Sequence, residues 1–131
     1  QKDLQQLQIV KALAKQMQSA IEVVGIPTIR EGSGLAKSSR NKLLSENAKK
    51  EATLIYNCLN YCKNNKEKGV AELKSYIINQ FEKQKNFKLE YAEIVNINTM
   101  QPTKIWQGEN ENAICIAAYH SGVRLIDNII L

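Results

Sequence analysis

The sequence predicts an α/β protein in which the end of a parallel α/β layer is followed by a small α+β lobe. Two helical apolar patterns lie in the middle of the chain, over residues 46–62 and 69–84. Three apolar, β-rich runs separated by turn residues follow them, which is typical of an antiparallel sheet. We therefore expect two helices covering a three-stranded antiparallel sheet over residues 42–131, preceded by a different unit over residues 1–41.

The first unit contains one predicted helix and one predicted strand. Apolar residues recur at helical spacing over residues 4–17, and Asp3 is placed to cap this helix or to act as an anion in its first turn. The β-branched run over residues 21–26 predicts a short strand that ends at Pro27. A helix followed by such a strand is typical of the second half of a βαβ unit, so we expect the first strand to lie upstream of Gln1.

The helices of the lobe are predicted from their periodicity and from one cap. Ser45 is a predicted N-cap, and apolar residues that alternate in steps of four and three predict a helix over 46–62. A polar break separates it from the second helix over 69–84. Two helices joined by so short a connection predict an antiparallel helical pair.

The predicted strands cover residues 89–95, 113–119 and 123–126, and a tight HSG turn joins the last two. The polar pair Asp127 and Asn128 follows the last apolar run, so we expect it to end that strand.

Composition excludes several classes of protein. Among the 131 residues, 44% are hydrophobic and 24% are charged, which argues against disorder. No apolar run approaches the ~20 residues that a membrane helix needs, and the polar N-terminus has no signal-peptide segment. The net charge of +5 permits anionic ligands, but the lysines lie on predicted outer helix faces without interleaved aromatic residues. We therefore expect neither a membrane nor a nucleic acid as partner.

The cysteines, the histidine and the tryptophan give no catalytic or metal-binding pattern. Cys58, Cys62 and Cys115 do not form paired metal-ligand spacings, and His120 stands alone at a predicted turn without an obvious partner. We expect no metal site, reduced and mostly buried cysteines in a cytoplasmic protein, and Trp106 packed on the sheet.

The polar chemistry of the chain gathers in a predicted ordered loop over residues 27–41. Arg30, Lys37 and Arg40 supply cations there, three serines supply hydroxyl groups, and two glycines allow close approach of the backbone. Cations, hydroxyl groups and backbone N–H groups on one loop are what a polyphosphate requires. The pattern is not a Walker loop, because GxxxxGK[ST] is absent.

An ordinary solvated loop is the alternative interpretation of the same residues. Arg30 and Glu31 would then form a local ion pair, and Ser38 and Ser39 would cap turns.

Three blocks of sequence add a resemblance to these observations. QKDLQQLQIV at 1–10, VGIPTIREGSGLAKSSRN at 24–41 and RLIDNI at 124–129 resemble the pantoate–β-alanine ligase family, in the family's order. The resemblance implies the nucleotidyltransferase superfamily, with residues 1–41 ending a Rossmann-like nucleotide-binding domain and residues 42–131 forming a C-terminal lid.

The resemblance also implies an activity. In the family's reaction, pantoate attacks the α-phosphorus of ATP to give pantoyl adenylate and pyrophosphate, and β-alanine then displaces AMP to give pantothenate. Mg²⁺ accompanies the ATP, and the family dimerises through an N-terminal domain that lies outside this chain. The family's His-x-Gly-His motif also lies there, so we expect residues 1–131 to be inactive alone.

The resemblance assigns individual residues to the substrates. Gln6 matches the pantoate-binding glutamine, and Ile29 matches a position that holds adenine through its backbone. The remaining ATP-binding positions are Gln1, Lys2, Asp3, Lys37, Ser38, Ser39 and Arg40. Four of these, Lys2, Ser38, Ser39 and Arg40, would stabilise the transition state, and Lys37 stands where the family usually has Met.

Two interpretations from other classes stay open: a non-catalytic module that binds anions or nucleic acid through this loop, and a protein-interaction domain that uses the helical pair.

Overall fold

The computed structural model describes residues 3–131. Three α-helices and three β-strands form the architecture. They are α1 (Leu4–Gln16), α2 (Glu46–Asn64), α3 (Val70–Glu82), β1 (Phe87–Asn96), β2 (Asn112–His120) and β3 (Val123–Ile130). The strands form one antiparallel sheet in the order β1-β2-β3, as predicted. None of the helices in the described part of the chain is long and apolar enough to cross a membrane.

The α2–α3 pair begins with the predicted cap. The hydroxyl of Ser45 accepts a hydrogen bond from the backbone N–H of Ala48 at 3.1 Å, which satisfies one of the free donors of the first turn. The two helices contact each other through the stacked rings of Tyr61 and Tyr76, whose centroids are 3.7 Å apart.

These helices cover one face of the sheet and form the main core with it. Large side chains from both layers are fully buried in that core: Leu59, Leu73, Ile77, Ile94, Ile114 and Ile116. Trp106 packs against this core and donates its indole N–H to the carbonyl of Lys66 at 2.8 Å.

The three cysteines are free, and the prediction that they are mostly buried is confirmed. Cys58 and Cys62 are buried on the sheet-facing side of α2, and Cys115 is half-buried on β2. Burial raises the pKa of the Cys58 and Cys62 thiols to about 12, so both stay protonated and unreactive at neutral pH.

Helix α1 lies on the opposite face of the sheet, where it covers only one end. Leu4 is its one buried residue and packs against Val95 of β1 and Ala113 of β2. Asp3 precedes the helix without a capping hydrogen bond from its side chain. The rest of this sheet face stays uncovered by helix.

The predicted strand over 21–26 is wrong. Residues 18–29 carry neither helix nor strand, and Ile21, Val24 and Ile26 are 74%, 67% and 71% exposed. β-Branched residues favour a strand only where a pleated, half-buried surface receives them, and the sheet described here holds only β1, β2 and β3.

Strand β3 is longer than predicted. Asp127 and Asn128 do not end it but lie within it, and they are 4% and 6% exposed. The tight turn before β3 is confirmed, because Ser121 and Gly122 both have positive φ, at 49° and 83°. Two successive positive φ values suit the twist of a two-residue hairpin.

His120 has a partner that the sequence did not reveal. Its buried ring nitrogen Nε2 lies 2.6 Å from Oε2 of Glu51 on α2, and Asn86 also donates to that carboxylate at 3.1 Å. The hydrogen bond from His120, with a smaller contribution from Asn86, lowers the pKa of Glu51. The pair therefore joins α2 to the end of β2.

We expect the substitution Glu51→Gln to lower the melting temperature at neutral pH and to matter less in acid. A carboxyl group whose pKa is lowered by folding stabilises the protein above its ordinary pKa of about 4.3. That contribution is lost as the pH falls through the lowered value. Melting curves of both proteins at pH 7, 4 and 3 check this, and an equal difference in melting temperature at all three would contradict it.

Candidate functional site

The loop that the sequence singled out folds as a tight hairpin followed by a short 3₁₀ helix, Ser39–Leu43. Arg30 and Ala36 form an isolated antiparallel bridge. The backbone N–H of Lys37 donates to the carbonyl of Ile29 at 2.9 Å, and that of Glu31 donates to the carbonyl of Leu35 at 2.8 Å. The prediction of an ordered loop is therefore confirmed.

Arg30 anchors this hairpin to the lobe, and the predicted ion pair with Glu31 is wrong. Its guanidinium forms a two-pronged ion pair with the carboxylate of Asp127 on β3, one contact being 3.1 Å. It also donates to the carbonyl of Gly34 at 3.2 Å and lies 4.5 Å from the ring centroid of Tyr56 on α2. The planar guanidinium fits a carboxylate bidentately and stacks on an aromatic ring, which explains the preference for these partners.

Glu31 and Asn41 close the other side of the hairpin. Nδ2 of the buried Asn41 donates to the Glu31 carboxylate at 3.2 Å and to the carbonyl of Ala36 at 3.1 Å. Both strands of the hairpin are thus tied to the start of the 3₁₀ helix.

Gly34 occupies a position that admits no side chain. Its φ is +94°, and a Cβ atom there would overlap Cδ1 of Tyr56. The absence of a side chain therefore allows the Tyr56 ring to lie against the hairpin and beneath Arg30.

The segment 37–40 presents cations and hydroxyl groups at the surface. Lys37, Ser39 and Arg40 are exposed, and the hydroxyl of the half-buried Ser38 accepts a hydrogen bond from the backbone N–H of Arg40 at 3.2 Å. Turn capping by Ser38 is thereby confirmed. Within residues 3–131 Lys37 and Arg40 form no ion pair, and the guanidinium of Arg40 donates to the carbonyl of Arg124 at 3.4 Å. Two cations without carboxylate partners suit an anionic ligand.

A cleft of about 470 Å³ opens between the start of α1 and the uncovered face of the sheet. Asp3 and Gln6 line it on the α1 side, and Tyr91, Arg124 and the stretch of β3 at Asp127 line it on the sheet side. Arg124 and Asp127 also border a small gap beside Ser38 and Arg40, so β3 separates the cationic segment from the cleft.

Other charged groups in the cleft are paired, and its thiol and phenol have raised pKa values. The guanidinium of Arg124 is paired with Glu90 at 2.8 Å, and Glu93 is paired with Lys74 at 2.9 Å. Burial, aided by the nearby Asp127 carboxylate, raises the pKa of the Cys115 thiol to about 11, and burial also raises the pKa of Tyr91. The raised pKa therefore favours the protonated form of both groups.

The sequence-predicted site residues fall at three places. Asp3 and Gln6 line the cleft, whereas the predicted phosphate-binding segment 37–40 lies across β3. Ile29 is 67% exposed at the base of the hairpin. Gln1 and Lys2 lie outside the described residues. All of the assigned binding roles stay predictions.

Sequence reasoning missed Asp127 and Tyr56. The alternation of β3 places Asp127 on the helix-covered face beside Leu125, a position that is unfavourable for a charge unless a cation meets it. A charged residue at a core-facing position of a strand was the available sequence signal, and it indicates a basic partner from elsewhere in the chain.

Residues 3–131 hold no group of three or more His, Cys, Asp or Glu side chains arranged to bind a metal ion.

Comparisons with known proteins agree with the resemblance. Residues 1–130 match the family model described as pantoate-beta-alanine ligase. The chain is 40% identical to a pantothenate synthetase of Caldicellulosiruptor saccharolyticus and 41% identical to one of Christiangramia forsetii, and each match covers 100% of this chain and 47% of the relative. The chain therefore spans about half the length of these curated relatives.

Solved structures show the same partial match. A pantothenate synthetase from Thermus thermophilus superposes with a TM-score of 0.89 at 32% identity, over 98% of this chain and 46% of that one. A pantoate-beta-alanine ligase from Francisella tularensis, complexed with beta-gamma ATP and beta-alanine, superposes with a TM-score of 0.62 at 30% identity, over 98% and 40%.

Proposed function

The chain belongs to the pantoate–β-alanine ligase family, and we propose that the complete protein carrying it condenses pantoate with β-alanine at the expense of ATP. The observation that carries this proposal is the cationic segment 37–40, which has no carboxylate partner among residues 3–131, is held by an ordered hairpin, and lies across β3 from a cleft that Gln6 lines. The family match supplies the substrates, and the segment supplies the chemistry that a triphosphate needs.

The proposed reaction has two displacements. A carboxylate oxygen of pantoate forms a bond to the α-phosphorus of ATP, while the bond from that phosphorus to the bridging oxygen breaks and pyrophosphate leaves. The amine nitrogen of β-alanine then forms a bond to the acyl carbon, the bond to AMP breaks, and the amine loses a proton. The first step develops charge on the phosphoryl oxygens and on the departing pyrophosphate.

Residues of this chain are proposed to meet that charge. Arg40 and the hydroxyl groups of Ser38 and Ser39 would bind the phosphates, and fixed donors of this kind stabilise charge that grows in a transition state. Lys37 adds a second exposed cation at the start of the segment. We assign Lys2 the same task.

The remaining assignments concern nucleotide and acid. We propose that Gln1, Asp3 and the backbone of Ile29 bind the nucleotide, and that Gln6 binds pantoate. Mg²⁺ would arrive with the nucleotide, since it is commonly bound through substrate phosphates.

The organisation of the complete protein is part of the proposal. Residues 1–41 would end a Rossmann-like domain and residues 42–131 would form a lid, with the rest of the site and a homodimer contact supplied by a unit equivalent to the relatives' other half. Residues 1–131 alone would then not complete the reaction. Three reduced cysteines support a cytoplasmic location.

Pantoate-dependent exchange of labelled pyrophosphate into ATP by the complete protein tests the proposed function. We expect exchange in the wild type, formation of pantothenate when β-alanine is added, and a roughly 10- to 100-fold rise in the pantoate KM for Gln6→Ala. Gln8→Ala, which removes the same side chain from α1 outside the cleft lining, is the matched control and should leave that KM unchanged. Absence of pantoate-dependent exchange in the wild type would contradict the proposal.

A further inference from the structure

The contacts of Arg30 join three separate parts of the chain. Its guanidinium binds Asp127 of β3, lies on the ring of Tyr56 of α2 and holds the carbonyl of Gly34 within its own hairpin. The two residues of the ion pair are 97 positions apart in the sequence. This arrangement fixes the hairpin against β3 and α2.

Because Asp127 is buried, its charged carboxylate needs the guanidinium of Arg30 as a partner. The carboxylate is 4% exposed and Arg30 is 19% exposed, so the pair is largely shielded from water. An isolated buried carboxylate is strongly disfavoured, whereas one that accepts two hydrogen bonds from a guanidinium is compensated. The hairpin therefore occupies this position whenever Asp127 is ionised and buried.

Backbone contacts connect the anchored hairpin to residues 37–40, the proposed phosphate-binding segment. Ala36 pairs with Arg30 across the hairpin, and Lys37 donates its N–H to Ile29, the residue next to Arg30. Asn41, at the far end of the segment, donates to the carbonyl of Ala36. Residues 37–40 are thus held at both ends by a unit that Arg30 secures.

We propose that Arg30 and Asp127 are positioning residues that hold residues 37–40 in their ATP-binding arrangement before the nucleotide arrives. The inference rests on the proposed function and names the ion pair that holds the ATP-binding residues in place. Binding to a segment that is ordered only part of the time weakens the apparent affinity by the ordered fraction. Loss of the ion pair should therefore act on ATP binding and not on the acyl-transfer step.

The test separates the two half-reactions in the complete protein. In Asp127→Asn, which keeps the shape and removes the charge, we expect the KM for ATP in pyrophosphate exchange to rise at least about 10-fold, while kcat at saturating ATP stays within about threefold. Release of AMP from presynthesised pantoyl adenylate by β-alanine should change less than about twofold. Arg30→Lys keeps a cation beside Asp127 but loses the bidentate fork, so its KM should fall between those of the wild type and Asp127→Asn.

A surface ion pair provides the matched control. Glu72 lies on α3, away from the hairpin, and is paired with Lys68. Glu72→Gln removes the charge from this pair and should leave both half-reactions unchanged.

An unchanged KM for ATP in both Arg30→Lys and Asp127→Asn would overturn the positioning role and leave the proposed function standing. Equal losses of kcat in both half-reactions at constant KM would show a purely structural role and would also overturn it. If Asp127→Asn does not fold, Arg30→Lys decides by the same KM criterion. A wild type without exchange overturns the proposed function and this inference with it.

Discussion

Replacing Arg40 with alanine should slow the formation of pyrophosphate from ATP and pantoate by about 100-fold or more. Removal of one preorganised donor from a developing oxyanion commonly costs about two to three orders of magnitude in rate. Arg40 is exposed, and within the described chain its guanidinium contacts only a backbone carbonyl, at 3.4 Å. The substitution should therefore leave the melting temperature nearly unchanged, so that the loss of rate reports on chemistry.

Lys42→Ala is the control for Arg40→Ala. Lys42 is an exposed cation two positions further along the same 3₁₀ helix, so its removal changes the net charge equally. Single-turnover measurement of pyrophosphate release should show less than about a threefold effect for Lys42→Ala. Equal losses in the two variants would mean that general charge, and not the place of Arg40, attracts the nucleotide.

Replacing Gly34 with alanine should lower the free energy of unfolding by about 2 to 6 kcal/mol, because backbone strain at positive φ and an overpacked contact each cost about 1 to 3 kcal/mol. The φ of +94° is unfavourable for any L-residue, and the new methyl group would overlap the ring of Tyr56. Movement of that ring would also disturb its contact with Arg30. Urea unfolding of the complete protein gives the measurement, followed at the transition that contains this lobe.

Gly32→Ala is the matched control, since a Cβ at that position would meet no atom within 4 Å. It should change the free energy of unfolding by less than about 0.5 kcal/mol. Combining Gly34→Ala with Tyr56→Ala should add less than the two single losses, because the clash disappears. If Gly34→Ala and Gly32→Ala were equally stable, the close approach of Tyr56 would not constrain the hairpin.

Elements with strong periodicity could be predicted from the sequence. Helix α2 is predicted over 46–62 and spans Glu46–Asn64, with the cap at Ser45 in place. The strands follow the predicted order because each run of apolar residues is bounded by turn chemistry, as at Ser121 and Gly122. Such local signals survive because tertiary packing agrees with them.

The failures share a physical cause. The run over 21–26 has the composition of a strand, but strand formation depends on a partner surface that local sequence does not encode. Asp127 looks in the local sequence like a polar residue that ends a strand. Its place inside β3 depends on a compensating cation, Arg30, which lies 97 residues away. Distant partners also explain two other errors. The local sequence suggests Glu31 as the partner of Arg30, and it gives no sign that His120 contacts Glu51.

The candidate site was also only partly predictable from the sequence. The composition of the loop predicts a place for a polyphosphate, and the family resemblance assigns individual residues. How the loop is held could not be predicted, because Arg30, Tyr56 and Asp127 come from three parts of the chain that meet only after folding.

The simple strand order has a kinetic consequence. Each strand pairs with its neighbour in the chain, so the sheet is a meander, and the two helices before it are also consecutive. Pairing strands that are consecutive in the chain closes shorter loops than pairing distant strands would, and shorter loops cost less chain entropy. The link between the hairpin and β3 joins residues that are 97 positions apart, so we expect it to form after the neighbouring strands have paired.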